Sequence, residues 1–164
     1  MNCIDKHLKE ELFALNRYIY EHPELGYAEF KSSEAHVELL KKHGFKTEYG
    51  YMGIQTGFRA EYTHGAGPTV AYLSEYDALP EVGHGCGHNI MGTLSTGAAI
   101  HLKENLGDTK GRIIVIGTPA EETDGAKVRY AAHGAFDDVD VALISHPFYK
   151  NVKSGISFAL KALR

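Results

Sequence analysis

The sequence predicts one α/β domain with a mainly parallel central sheet, and three observations support that prediction. Three short, nearly continuous apolar runs, at residues 69–74, 113–117 and 141–145, are typical of strands buried in a parallel sheet. A helical pattern at residues 90–106 separates the first two runs, and the order strand, helix, strand indicates a parallel crossover. The 164 residues, of which 43% are hydrophobic, are enough for one sizeable core.

Apolar residues at helical spacing predict three helices. The first helix ends before Pro23, and its apolar stripe consists of Leu8, Leu12, Leu15 and Ile19. The second covers residues 28–43 and stops at Gly44, and its apolar side consists of Phe30, Val37 and Leu40. The third covers residues 90–106, and its apolar repeat consists of Leu94, Ala98, Leu102 and Leu106. Between the second and third helices, residues 47–62 are rich in aromatic residues and glycine, which predicts two short strands with a turn.

Polar residues follow each of the three apolar runs directly. They are Glu75, Tyr76 and Asp77 after the first, Pro119, Ala120, Glu121 and Glu122 after the second, and His146 and Pro147 after the third. Parallel strands end at the same edge of a sheet, and ligands of open α/β sheets bind at that edge. We therefore expect these three clusters to form one site.

A glycine-rich segment at residues 83–89 reads Gly-His-Gly-Cys-Gly-His-Asn. One residue, Gly87, separates Cys86 from His88. An irregular turn around this glycine would point both side chains into one cavity. Thiolate and imidazole are ligands for a transition metal. An incidental cysteine in a glycine-rich loop is the plainer alternative. His84 is a third ligand, a supporting hydrogen-bond donor or a solvated loop residue, and we favour the outer roles.

The acidic and imidazole side chains at the strand ends suit a hydrolytic site. Glu121 and Glu122 are adjacent and point in different directions, so one carboxylate can bind metal while the other moves protons. A solvated acidic pair is the plainer alternative, and the position after a buried strand favours the functional one. Asp77 either holds a ligand imidazole in the correct tautomer or caps a turn. His146 lies before Pro147, which favours an extended backbone, and it is either a ligand or a solvated residue.

Composition and charge exclude several other classes of function. The net charge is −4, and the basic residues are scattered rather than clustered, so we expect no nucleic-acid partner. No segment has the length or hydropathy of a membrane span or a signal peptide, so we expect no membrane partner. Cys3 and Cys86 are the two cysteines, and a thiol ligand at Cys86 fits a reducing, cytoplasmic setting.

Several ordered motifs together resemble the M20 metallopeptidases, in particular the amidohydrolase branch with aminoacylases, p-aminobenzoyl-glutamate hydrolases and Xaa-Arg dipeptidase-like proteins. The motifs are His22-Pro23-Glu24-Leu25, Glu75 to Pro80, His84 to Asn89, Gly117 to Glu122 with Gly125-Ala126-Lys127, and Ser145-His146-Pro147. The resemblance implies a three-layer α/β/α, zinc-peptidase-like catalytic domain. Asn89, where many members of this branch have Asp, favours the p-aminobenzoyl-glutamate hydrolase and dipeptidase side.

The resemblance also implies a chemistry. Two divalent ions, Zn before Mn, Co or Ni, would be bound by Cys86 as the bridge and by His88, Glu122 and His146. Glu121 would be the general base and acid, and Asp77 would support the site. The substrate would be a small molecule with an amide bond: an N-acyl amino acid, an aminobenzoyl-glutamate-like amide or a dipeptide.

Members of this family are considerably longer, so residues 1–164 are expected to be the amino-terminal part of the catalytic domain, without the lid and dimerisation domain. Residues 155–164 resemble the approach to that lid. The alternatives to an enzyme are a non-catalytic metal-binding or interaction module and a thiol redox protein. The second lacks a nearby resolving cysteine. A homo-oligomer and association with a missing carboxy-terminal portion are both open.

Overall fold

The computed structural model describes residues 4–148. The helices are α1 (Lys6–Glu21), α2 (Phe30–Lys42), α3 (His88–Glu104) and α4 (Ala126–Ala132), and the strands are β1 (Lys46–Tyr49), β2 (Phe58–His64), β3 (Thr69–Ser74), β4 (Gly111–Gly117) and β5 (Val141–Leu143). A short 3-10 helix, Tyr51–Gly53, lies between β1 and β2. Residues 155–164, predicted to approach a lid, lie outside the described residues. Within those residues, no helix has both the length and the apolar character needed to cross a membrane.

The strands form one sheet in the order β1-β2-β4-β3-β5. β3 pairs in parallel with both β4 and β5, whereas β2 is antiparallel to its neighbours β1 and β4. Four strands therefore run in one direction and only β2 runs against them. This arrangement confirms the predicted α/β fold with a mainly parallel sheet.

Alternate residues of β4 show that the sheet is covered on both faces. Ile113 and Val115 belong to a core cluster with residues of α1, α2 and α3. Ile114 and Ile116 belong to a second cluster with Ala126 and other residues of and around α4. Because successive side chains of a strand point to opposite faces, these two clusters define three layers, helices on either side of a sheet.

The predicted apolar side of the third helix is right only in part, because Leu102 and Leu106 pack against the core cluster but Leu94 does not. Leu94 is 53% exposed, whereas the buried face of α3 carries small and hydroxyl residues, among them Gly92, Ser95, Thr96 and Ala99. A Cβ at Gly92 would lie 2.4 Å from the carbonyl oxygen of Glu75, so α3 approaches the end of β3 too closely for a larger residue. Close packing on the sheet, rather than hydropathy, determines which face of α3 is buried.

Two other expectations of burial are also wrong. Phe30, placed on the apolar side of the second helix, is the first residue of α2 and is 46% exposed. The run at residues 141–145 forms only the three-residue β5, in which Val141 and Leu143 are about half exposed. β5 is an edge strand that pairs with β3 alone, so one side of it has no neighbouring strand among the described residues.

Candidate metal centre

Loops at the carboxyl ends of β3, β4 and β5 bring the predicted site residues together. The ligand atoms of Cys86, His88 and His146 lie within 4.8 Å of one another, and so do those of Glu75, His88 and Glu121. His88 belongs to both groups. Gly87, between Cys86 and His88, has a φ of 89°, a left-handed conformation that favours glycine and lets both flanking side chains reach one place.

His88 is fully buried and held by Asp77. Its Nδ1 donates a hydrogen bond to Asp77 Oδ1 at 2.9 Å. Burial lowers the pKa of His88, but the hydrogen bond and the carboxylates around it outweigh this effect, so its pKa is raised. Burial likewise opposes ionisation of Asp77, but His88 and the Glu122 amide outweigh it and lower the pKa of Asp77. The two shifts agree: the pair is stabilised with Asp77 ionised.

With Nδ1 bonded to Asp77, the Nε2 atom of His88 is presented to the other side. Nε2 is buried and has no hydrogen-bond partner among the described residues. It lies 3.4 Å from Glu75 Oε2 and 3.7 Å from Glu121 Oε2. A carboxylate on one ring nitrogen, with the other nitrogen directed at a cluster of donors, is the arrangement typical of a metal-binding histidine.

His146 likewise has one ring nitrogen held by a hydrogen bond and the other directed at a candidate ligand. Its Nδ1 donates to the carbonyl oxygen of Pro147 at 2.8 Å, and its Nε2 lies 3.3 Å from Cys86 Sγ. Its ring meets the ring of His88 edge-on, with centroids 5.6 Å apart. Both histidines therefore direct Nε2 toward the space beside Cys86.

The Cys86 thiol lies among carboxylates. Burial raises its pKa to about 11, and a hydrogen bond with Glu122 and the charges of Glu121 and Glu75 act in the same direction. A thiol with a raised pKa is a poor redox nucleophile at neutral pH, which argues against the thiol redox alternative. A cation at this position would reverse the effect and favour the thiolate.

Glu121 and Glu122 lie on a turn after β4 and approach different partners. The carboxylate of Glu121 faces His88, whereas that of Glu122 is near Cys86. The amide of Glu122 donates to Asp77 Oδ2 at 2.9 Å. Glu122 belongs to neither group of converging ligand atoms, and Glu121 belongs to one. The different surroundings are consistent with two roles for the acidic pair.

Sequence reasoning did not assign a role to Glu75. This carboxylate is 1% exposed, contacts the ammonium group of Lys127 and faces His88 Nε2. Burial raises its pKa, although Lys127 opposes that effect. Its position directly after a buried strand is the signal that would have identified it, the same signal that identified Asp77.

Two residues of the glycine-rich segment lie apart from the converging atoms. His84 is 9% exposed, and its Nε2 hydrogen-bonds the carbonyl oxygen of Ile19 at 3.1 Å, near the end of α1. Asn89 is 4% exposed, and its amide donates to Asn16 Oδ1 at 2.9 Å. Both residues attach the segment to α1, and the Asn89 side chain is directed to that helix.

The donor set fits divalent transition metals. Thiol, imidazole and carboxylate side chains converge on the buried imidazole of His88, whose Nε2 makes no hydrogen bond in the part of the chain that the structure describes. This mixture of ligands suits Zn, Co, Mn or Ni. The two groups overlap at His88 and lie at the same edge of the sheet.

Comparisons with known proteins identify the family of this chain. Residues 71–158 match the model of "Peptidase family M20/M25/M40". The chain is 39% identical over 160 residues to the Xaa-Arg dipeptidase of Mus musculus, covering 87% of this chain and 36% of that protein. It is 36% identical over 148 residues to a subunit of the p-aminobenzoyl-glutamate hydrolase of Escherichia coli strain K12, covering 79% of this chain and 31% of that protein.

A solved structure agrees with these sequence matches. A dinuclear metal-binding peptidase of the M20 family from Bacillus subtilis superimposes with a TM-score of 0.74 and 27% identity, covering 84% of this chain and 42% of that chain. The present chain thus spans about a third of the length of the curated relatives that it matches. The chain belongs to peptidase family M20/M25/M40.

Proposed function

We propose that this chain is the amino-terminal, metal-binding part of a hydrolase that cleaves an amide bond in an N-acyl amino acid, an aminobenzoyl-glutamate-like amide or a dipeptide. The observation that supports it most strongly is His88, which is fully buried and held by Asp77. Its Nε2 makes no hydrogen bond among the described residues and is directed at Cys86, Glu75 and Glu121. The names of the relatives narrow the substrates to be tried first to Xaa-Arg dipeptides and p-aminobenzoyl-glutamate.

In this proposal, Cys86, His88, Glu122 and His146 would hold two divalent ions. The ions would supply the positive charge that activates water and stabilises negative charge on the amide oxygen. Asp77 keeps the His88 Nδ1 protonated, so that Nε2 is available as a ligand. A reducing compartment such as the cytoplasm would keep the Cys86 thiol available.

Glu121 moves the proton in this scheme. Its carboxylate takes a proton from the attacking water and gives it to the leaving amine nitrogen, and the C–N bond breaks. Its side chain is 39% exposed, open to a substrate while facing His88. General acid–base catalysis of this kind contributes about 10²- to 10⁴-fold to a rate.

The test uses the chain loaded with Zn²⁺, Mn²⁺ or Co²⁺, with bound metal counted by mass spectrometry and hydrolysis followed by amine release. We expect Glu121→Gln to retain its metal and to lose at least about 100-fold in kcat. Asp124→Asn, which removes a neighbouring exposed carboxylate of the same turn, should retain full activity. Bound metal without any turnover that depends on Glu121 would contradict the proposal and favour a non-catalytic metal-binding module.

A further inference from the structure

Glu29 is a buried carboxylate far from the predicted site in sequence. It lies in the connection between α1 and α2, yet it is 0% exposed. Its Oε2 accepts a hydrogen bond from Thr56 Oγ1 and its Oε1 accepts one from the amide of Ala120, both at 2.8 Å. Buried carboxylates are rare unless they are hydrogen-bonded. The two donors therefore indicate which parts of the fold the Glu29 side chain stabilises.

Ala120 has a backbone conformation that needs such support. It has a φ of 62°, in the left-handed region that residues with a Cβ rarely adopt, and it is 0% exposed. Its amide is therefore buried, and no water can replace the Glu29 carboxylate as its acceptor. This residue directly precedes Glu121, so its conformation sets the direction in which the acidic pair leaves the end of β4.

The turn that carries the acidic pair is held by a carboxylate on each side of Glu121. Glu29 accepts from the amide of Ala120 on one side, and Asp77 accepts from the amide of Glu122 on the other. Asp77 also bonds His88, so it links the turn to the buried imidazole. Glu29 has no such direct link, and its contribution acts through the backbone of Ala120.

We propose that Glu29 is a positioning residue for Glu121 and Glu122, fixing the left-handed turn at Ala120 from which both carboxylates are directed at the converging ligand atoms. The proposal rests on the proposed function for the roles of the two carboxylates, but the positioning itself is a property of the fold. Thr56 fixes Glu29 in turn, and its own carbonyl oxygen accepts from Tyr76 Oη at 2.6 Å.

Glutamine is the conservative replacement at Glu29. It has the same shape and keeps one oxygen for the Ala120 amide, while its amino group can donate to the Thr56 hydroxyl, which accepts as well as it donates. Alanine removes both bonds and leaves the Ala120 amide without an acceptor. Glu24→Ala is the matched control, because Glu24 lies in the same connection but accepts from Lys31 N and from Ser32 N and Oγ, at the start of α2.

The first measurement is Co²⁺ affinity of the chain by absorption titration. We expect Glu29→Ala to weaken binding by about 10-fold or more, as changes behind metal ligands do, and Glu29→Gln and Glu24→Ala to stay within about 3-fold of wild type. Equal affinity for Glu29→Ala and wild type would overturn the proposal. So would an equal loss in Glu24→Ala, which would show that only the stability of the connection matters.

A second measurement needs no metal and no activity, and it separates this proposal from the proposed function. In the NMR spectrum of the metal-free chain, the Ala120 amide proton should move upfield in Glu29→Gln, because a charged acceptor becomes a neutral one. It should stay in place in Glu24→Ala. An unmoved Ala120 proton in Glu29→Gln would overturn the positioning role even if Glu29→Ala fails to fold, whereas failure of wild type to bind Co²⁺ would contradict only the proposed function.

Discussion

Replacing His88 with alanine should lower the affinity of the chain for Zn²⁺ by about 100-fold or more. Mutating residues that only hydrogen-bond a metal ligand typically costs about 10- to 100-fold in affinity, and loss of the ligand itself should cost at least as much. His88 is the one residue that belongs to both groups of converging ligand atoms among the described residues. Its buried Nε2 makes no hydrogen bond within the described residues and faces the carboxylates of Glu75 and Glu121 at 3.4 and 3.7 Å, so it is directed at other candidate ligands. Competition with a chromophoric chelator measures the affinity.

A histidine elsewhere on α3 provides the control. His101 lies near the other end of that helix, so His101→Ala removes an imidazole from the same element without touching the cluster. It should bind Zn²⁺ as wild type does. Wild-type affinity in His88→Ala, or an equal loss in both variants, would contradict the role assigned to His88.

Acidification should destabilise the chain through His36. Between pH 6.5 and pH 3 we expect the free energy of unfolding to fall by an amount on the order of 5 kcal/mol. His36 is fully buried, and burial lowers its pKa from 6.5 to about 3. The unfolded chain takes up a proton below about pH 6.5 and the folded chain does not. The contribution of neutral His36 to the free energy of unfolding is therefore fully present above pH 6.5 and is lost as the pH falls toward 3. At pH 5 the loss is about 2 kcal/mol.

The surroundings of His36 explain why it stays neutral. Its Nδ1 hydrogen-bonds Thr96 Oγ1 at 2.9 Å, and its ring lies against those of Phe58 and Tyr76. Within residues 4–148, the Nε2 atom of His36 has no hydrogen-bond partner, so none of these contacts compensates a positive charge. These contacts identify His36 as a buried packing residue.

Urea unfolding of the metal-free chain at pH 7 and pH 5 tests this expectation. His36→Gln should be less stable than wild type at pH 7 but should lose about 2 kcal/mol less on going to pH 5. The exposed His133 provides a matched control, and His133→Gln should keep the wild-type dependence. If wild type and His36→Gln lose equal stability, His36 does not govern the acid response.

The fold was predictable where burial on both faces leaves a simple pattern. β3 has the predicted bounds because nearly every position in it packs against one helical layer or the other, and α1 follows its leucine repeat with Leu8, Leu15 and Ile19 buried. α3 was predicted as a helix, but Leu94, which the prediction placed on its buried side, is exposed. Its inner face carries Gly92, which allows α3 to approach the end of β3 closely. A pattern of hydropathy does not show that requirement.

The candidate site was predictable in part for a related reason. Cys86, His88 and His146 were identified because their residue types are metal ligands and because each follows or precedes a recognisable element, and the structure brings their ligand atoms together. Glu75 has the same positional signal as Asp77, because it directly follows a buried strand. Glu29 has no comparable signal in its local sequence. Glu29 meets Ala120 across 91 positions of sequence, a contact that only the tertiary fold creates.

The most direct test of the metal centre is X-ray absorption at the zinc edge of the Zn²⁺-loaded chain, with Cys3 replaced by serine so that Cys86 is the remaining thiol. We expect a sulfur neighbour at about 2.3 Å together with nitrogen or oxygen neighbours at about 2.0–2.2 Å, and we expect the sulfur to disappear in Cys86→Ser. A zinc shell of nitrogen and oxygen alone in the chain that retains Cys86 would contradict a metal centre built on Cys86.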